Sequence, residues 1–180
     1  PHTITLQKCL LPVAGKPVLE HVLDRITDAG VRDITLIIGH LSHQVKEFCS
    51  SYENATFTFI EQTERLGLGH AVYQGLDHSD EPVLIVLGDA ILELDYNNLI
   101  KSQYSTIGVA PVPDPKRFGI IKIDNGQIVK FLEKPENPPS NMAIIGIYYI
   151  SSQNELAKGI EYLMEKNIRS KNEYQLTDAF

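Results

Sequence analysis

The chain has 180 residues, 43% of them hydrophobic, enough to bury a sizeable core and most simply read as one compact domain. Its formal net charge of -7 and pI near 5.3 exclude a nucleic-acid partner held by clustered Lys and Arg. The two cysteines, Cys9 and Cys49, have no metal-like spacing, which excludes a zinc site or disulfide framework and fits a reducing cytoplasm.

Along the chain, Lys8 and Lys16 flank the apolar run of "QKCLLPVAGKPVLEH" near the start. Pro17 to Gly30 reads as a helix: proline suits its first turn, Val18, Leu19, Val22, Leu23 and Ile26 recur at helical spacing, and Gly30 is a natural stop. "DITLIIG" follows as a β-branched run read as a buried strand. A second helix at about 42–52 leads to the strand "ATFTFIEQ", then a helix in "GHAVYQGL" and a buried strand in "PVLIVLGD". Strands alternating with helices imply crossover units and a mostly parallel sheet. The second half changes character, because Asn125-Gly126 between two alternating runs is a strong tight-hairpin signal. Pro135, Pro138 and Pro139 punctuate a loop before the strand "NMAIIGIYYI", and a last helix covers about 153–167. The expected fold class is α/β, a doubly wound sheet with helices on both faces and an added antiparallel hairpin. The longest apolar runs fall far short of the roughly 20 residues that span a bilayer, so no membrane partner is expected. A chain that opens on Pro1 is expected to begin inside a longer gene product.

Several residues could carry chemistry. Asp89 follows an apolar strand and Gly88; in open α/β sheets ligands bind at the carboxyl ends of strands, so this carboxylate could hold a divalent cation, or it could simply open a turn. "EQTERLGLGHAV" carries Gln62 at a strand end and Gly67 and Gly69 before a helix. A planar amide and close backbone approach suit reading a nucleobase, although an ordinary loop has the same composition. Lys134 beside Glu133 could bridge a sugar phosphate while the carboxylate takes hydroxyl groups, or form a surface ion pair of little energetic value. His70 reads as a packing residue at a helix start.

The order of the blocks decides among these alternatives. "PHTITLQKCLLPVAGKP", "EQTERLGLGHAV", "VLIVLGD", "PDPKRFGIIKID", "FLEKPENPPSNMAIIGIYYI" and "NEYQLTDAF" together resemble sugar-1-phosphate nucleotidyltransferases, with the nearest likeness to glucose-1-phosphate thymidylyltransferases, over essentially the whole chain. The resemblance implies a Rossmann-like three-layer α/β/α domain, Mg2+ as cofactor, and a nucleoside triphosphate and a sugar-1-phosphate as small-molecule substrates. It implies Lys8 as the phosphate-binding lysine, Asp89 as the magnesium ligand and Lys134 as the third catalytic residue, with Lys16 structural. Gln62, Gly67, Leu68 and Gly88 fall at nucleotide-binding positions, and Gly119, Glu133, Lys134, Gly146 and Glu173 around the sugar phosphate; Asp178 lies in a matching block without an assigned role. The expected substrates are dTTP and glucose-1-phosphate, with UTP or GTP chemistry and a catalytically silent nucleotide-sugar-binding relative as alternatives.

Three departures from the family pattern accompany this reading. The family's glycine-rich loop would precede Pro1, a second magnesium aspartate would lie beyond Phe180, and Ala90 stands where many relatives have a polar residue. On that basis the 180 residues alone are expected to turn over weakly or not at all. No coiled-coil or repeat pattern selects an assembly, and a homo-oligomer is left open.

Overall fold

The computed structural model describes residues 5–180; the first four residues of the opening block, 1–4, lie outside the described residues. In chain order the elements are β1 (Pro12–Val13), β2 (Lys16–Pro17), α1 (Val18–Asp28), β3 (Asp33–Ile38), α2 (Ser42–Ser50), β4 (Thr56–Glu61) and α3 (Leu68–Gly75). They continue with β5 (Val83–Val86), α4 (Tyr96–Leu99), β6 (Thr106–Pro111), β7 (Gly119–Asp124), β8 (Gln127–Glu133), β9 (Met142–Ile150) and α5 (Gln153–Glu165). Contacts divide the chain into two compact units. One holds the described residues up to Glu64 together with Val86–Ser102, the other Arg65–Ile85 together with Gln103–Phe180.

In the first unit, α1 buries Val18, Leu19, Val22, Leu23 and Ile26, the stripe expected from helical spacing. Gly30, at φ +95°, turns the chain just past the helix, a conformation open to glycine. β3 and β4 pair in parallel from Asp33 opposite Thr56 to Ile38 opposite Glu61, and α2 between them makes the crossover that parallel pairing requires. Ile38, Val45, Cys49 and Tyr96 complete this unit's buried apolar set. The small β1–β2 hairpin was not legible beforehand; its turn places both Ala14 and Gly15 at positive φ.

In the second unit, strands run β5-β9-β7-β8, with β6 also paired to β9. The β6–β9, β7–β9 and β7–β8 ladders are antiparallel. Asn125 at φ +48° and Gly126 at φ +80° form the tight turn joining β7 to β8, as their sequence predicts. The core gathers Val72, Leu76, Ile121, Ile144, Tyr148, Ile150, Leu156, Ala157, Ile160 and Leu176. Ile160 and Ala157 are fully buried, and burying an isoleucine side chain is worth about 1.5–3 kcal/mol. Ser152 caps α5 by accepting a hydrogen bond from the Glu155 N–H, which sets where the helix begins. The α/β class stands as expected. Among the described residues, no helix is long and apolar enough to cross a membrane.

Candidate functional site

The first unit places Lys8 at the start of a short 3-10 turn, Lys8–Leu10. That turn is held from both sides. Gln7 donates through Nε2 to the His40 carbonyl at 2.7 Å, and its backbone N–H donates to Gln44 Oε1 at 2.9 Å. Gln44 in turn donates to the Thr5 carbonyl at 2.9 Å. These bonds pin the segment at the carboxyl end of β3, where ligands gather in open α/β sheets. From there Lys8 Nζ reaches Asp89 and forms an ion pair. Asp89 sits with Gly88 in the turn after β5, closed by the Ala90 N–H donating to the Leu87 carbonyl at 3.1 Å. A Cβ on Gly88 would stand 3.9 Å from Cys9 Cβ, so the two segments pass close together. Gln62 lies one residue past β4, its N–H donating to the Ile38 carbonyl at 2.8 Å.

Lys16, expected to be structural, pairs with Asp24 and lies 4.0 Å from Glu20 on α1. Tyr52 also donates to Asp24, at 3.0 Å. Burial acts to raise the Asp24 carboxyl, but the hydrogen bonds from Lys16 and Tyr52 outweigh it and hold the group below its ordinary range.

In the second unit, Gly67 and Leu68 open α3, with Gly67 at φ +107°. The tail segment around Tyr174 clasps this turn: the Gly69 N–H donates to the Tyr174 carbonyl at 2.8 Å, and the Tyr174 N–H to the Leu66 carbonyl at 2.7 Å. A Cβ on Gly67 would fall 2.7 Å from Glu173 Cβ, so Glu173 is brought against the turn that opens α3. That contact, together with the 3.1 Å bond its carboxylate accepts from Gln175, gives Glu173 a part in shaping the loop.

The hairpin register places Gly119 opposite Glu133, and the Lys134 N–H donates to the Phe118 carbonyl at 3.0 Å. A Cβ on Gly119 would approach Glu133 Oε2 to 3.2 Å, so glycine leaves that carboxylate its place. Glu133 is mostly buried, and its Oε1 lies 3.3 Å from Lys134 Nζ. Lys134 adopts φ +42°, a conformation that costs a non-glycine residue about 1–3 kcal/mol and that accumulates at functional sites. Burial, and secondarily the Glu133 charge, push the neighbouring Tyr148 phenol up to about 12. Gly146 has a different setting: at φ +84° it lies where the β6–β9 register shifts, beside a close approach of Gly108 to Ile147.

One residue escaped sequence reasoning. The triplet Leu176-Thr177-Asp178 draws notice to its carboxylate, yet Asp178 accepts a hydrogen bond from Ser170 Oγ at 2.7 Å. It is Thr177, buried beside Gly119, whose hydroxyl has no hydrogen-bond partner among the described residues. A buried hydroxyl left unpaired is costly unless a ligand or water satisfies it. Only the threonine's place in that block hinted at it.

No group of three or more His, Cys, Asp or Glu side chains among the described residues could form a metal cage. Magnesium is commonly held by one or two carboxylates together with substrate phosphates and water, so the single carboxylate of Asp89 fits a metal that arrives with a nucleotide.

The family model described as "Nucleotidyl transferase" matches residues 1–177. The chain is 34% identical over 181 residues to the bifunctional protein GlmU of Methanocaldococcus jannaschii, covering 99% of this chain and 42% of that protein. It is 33% identical over 174 residues to the glucose-1-phosphate thymidylyltransferase of Streptomyces antibioticus, covering 89% of this chain and 48% of that protein. The chain therefore spans less than half the length of these relatives. A solved UDP-glucose pyrophosphorylase, complexed with UDP-glucose, shares the fold with a TM-score of 0.82 and 24% identity, over 99% of this chain and 79% of its own. The sequence blocks, the α/β fold and the match along nearly the entire chain place this protein in the nucleotidyl transferase family.

Proposed function

We propose that the protein works as a sugar-1-phosphate nucleotidyltransferase, joining glucose-1-phosphate to dTTP and releasing pyrophosphate. The observation that carries this reading is the Lys8–Asp89 ion pair, which brings a cation suited to phosphate and a carboxylate suited to magnesium to one point from distant parts of the chain. The family membership supports it, as does the Gly119, Glu133, Lys134 and Thr177 group in the second unit.

An oxygen of the sugar phosphate attacks the α-phosphorus of the triphosphate. A new P–O bond forms as the bond from the α-phosphorus to the bridging oxygen breaks, and pyrophosphate leaves with the electron pair. The attacking oxygen is already ionised, so no general base or covalent intermediate is needed. The difficulty is charge, because two polyanions must meet. Lys8 neutralises triphosphate oxygens, Asp89 would hold the magnesium ion, and Lys134 neutralises the sugar phosphate. Magnesium supplies charge neutralisation and orientation of the phosphates. Glu133 accepts hydrogen bonds from sugar hydroxyls and the Thr177 hydroxyl donates to or accepts from them; nucleotide contacts are assigned to Gln62 and Gly88 in the first unit and to Gly67 and Leu68 in the second. Thymine and uracil share a hydrogen-bonding edge and differ by one methyl, worth about 1–3 kcal/mol in a pocket, so UTP is the nearest competitor.

The test is magnesium-dependent pyrophosphate release by the intact native gene product with glucose-1-phosphate and, separately, dTTP, UTP, GTP, ATP and CTP. Release greatest with dTTP and absent without the sugar phosphate is expected. Greater release with UTP would transfer the assignment to that base. Silence with every nucleotide, and with mannose-1-phosphate as well, would overturn the proposal in favour of a nucleotide-sugar-binding role.

A further inference from the structure

The second unit has a surface cavity of about 480 Å³ lined by Lys116, Lys134, Pro135, Glu136 and Asn137, within the roughly 300–1,000 Å³ typical of small-molecule sites. Lys116 belongs to a 3-10 turn, Pro115–Arg117, closed by the Phe118 N–H donating to the Pro115 carbonyl at 3.2 Å. Phe118 then accepts from the Lys134 N–H at 3.0 Å, and β7 begins opposite the end of β8. Hairpin register thus carries Lys116 and Lys134, distant in sequence, to the same cavity. Pro115 and Pro135 stiffen the two arms that present them.

Charge distinguishes the two lysines. Lys134 lies 3.3 Å from the Glu133 carboxylate, and Glu136 lines the same cavity. Lys134, Glu133 and Glu136 together sum to −1, a setting that repels a phosphate dianion. Lys116 brings the sum to zero, and no ion pair among the described residues engages it. Its ammonium is exposed and available to a ligand in the cavity.

We propose that Lys116 is a second phosphate-binding cation, which makes this cavity accept a phosphate dianion and favours phosphorylated over neutral sugars. The inference rests on the reading of Lys134 as a sugar-phosphate residue and adds a residue that reading does not contain. The dianion has two sources in the proposed reaction, the sugar-1-phosphate and the pyrophosphate product, which share the same chemistry.

Calorimetric titration of glucose-1-phosphate, glucose and pyrophosphate into the wild-type protein and Lys116→Met, Lys116→Arg and Lys116→Glu variants tests it. Circular dichroism checks that each variant is folded. A charge-assisted hydrogen bond lost in Lys116→Met weakens the dianion by roughly tenfold; Lys116→Glu weakens it further, Lys116→Arg largely restores it, and glucose is unaffected. Weakening confined to glucose-1-phosphate assigns the cavity to the substrate, and weakening confined to pyrophosphate assigns it to the product. Unchanged affinity for both dianions in Lys116→Met, or no binding of either to the wild-type protein, overturns the inference. Turnover separates this from the larger reading. Wild-type activity with an unaltered sugar-phosphate KM in Lys116→Met defeats the role of Lys116 alone. Dianion binding that depends on Lys116 without nucleotidyl transfer to any sugar phosphate defeats the proposed reaction alone.

Discussion

Lys8 and Asp89, 81 residues apart in sequence, meet in an ion pair at the carboxyl side of the first unit's strands. Their side chains are 66% and 39% exposed, and pairs of this kind contribute only about 0–1 kcal/mol to stability. An arrangement worth so little to the fold is easily opened by a phosphate or a metal ion. Asp89→Ala is therefore expected to leave the unfolding midpoint nearly unchanged and to lower magnesium-dependent pyrophosphate release by about 100-fold or more. Full activity in a folded Asp89→Ala protein would remove the carboxylate from the site.

Gly67 cannot carry a side chain without disturbing its clasp. Its φ of +107° disfavours any other residue, and a Cβ would stand 2.7 Å from Glu173 Cβ and 2.8 Å from the Tyr174 carbonyl oxygen. Gly67→Ala is expected to cost about 1–3 kcal/mol in chemical denaturation and to weaken nucleotide binding as the loop shifts. A variant as stable as the parent would show that the tail segment yields without cost.

The Lys16–Asp24 pair makes a pH-dependent contribution whose sign is set by the two shifts. Hydrogen bonding to Asp24 raises the Lys16 ammonium above its ordinary 10.5, so that part of the stability is present below 10.5 and is lost as pH rises through the higher folded value. Asp24 is held below its ordinary 3.8, so its part is present above 3.8 and is lost as pH falls through the lower folded value. The stability difference between the parent and Lys16→Met is expected to be flat across neutral pH and to shrink at both extremes. A difference that grows under acid would contradict the pairing.

The cysteines give an independent check on the first unit. Burial, with a smaller contribution from Cys9, pushes the Cys49 thiol up to about 11, and burial also raises Cys9, which remains partly exposed. Since the thiolate is the reactive form, iodoacetamide at pH 8 is expected to modify Cys9 slowly and Cys49 only after unfolding. Equal labelling of both in the folded protein would contradict the buried face of α2.

Much of the fold was legible because its signals are local. The stripe on α1, the alternation of strands and helices and the Asn125-Gly126 turn each depend on neighbours within a few residues, and each element formed close to its expected bounds. The β1–β2 hairpin and β6 were not read: one turns on an alanine at positive φ, and the other gains its strand character from pairing with β9.

The site divides in the same way. Sequence alone determined which residue types were present and in what order, and hence the family, because motifs are written in chain order. It could not say that Lys8 meets Asp89, that Glu173 closes on Gly67 or that Gly146 sits at a register shift. It could not find Thr177, whose significance lies in a buried hydroxyl without a partner, or Lys116, which hairpin register brings to the cavity of Lys134. Those relationships join groups distant in sequence and depend on strand register, close backbone approach and burial. Only the folded chain decides them, because distance and solvent exclusion set the strength of every electrostatic and hydrogen-bonding contact.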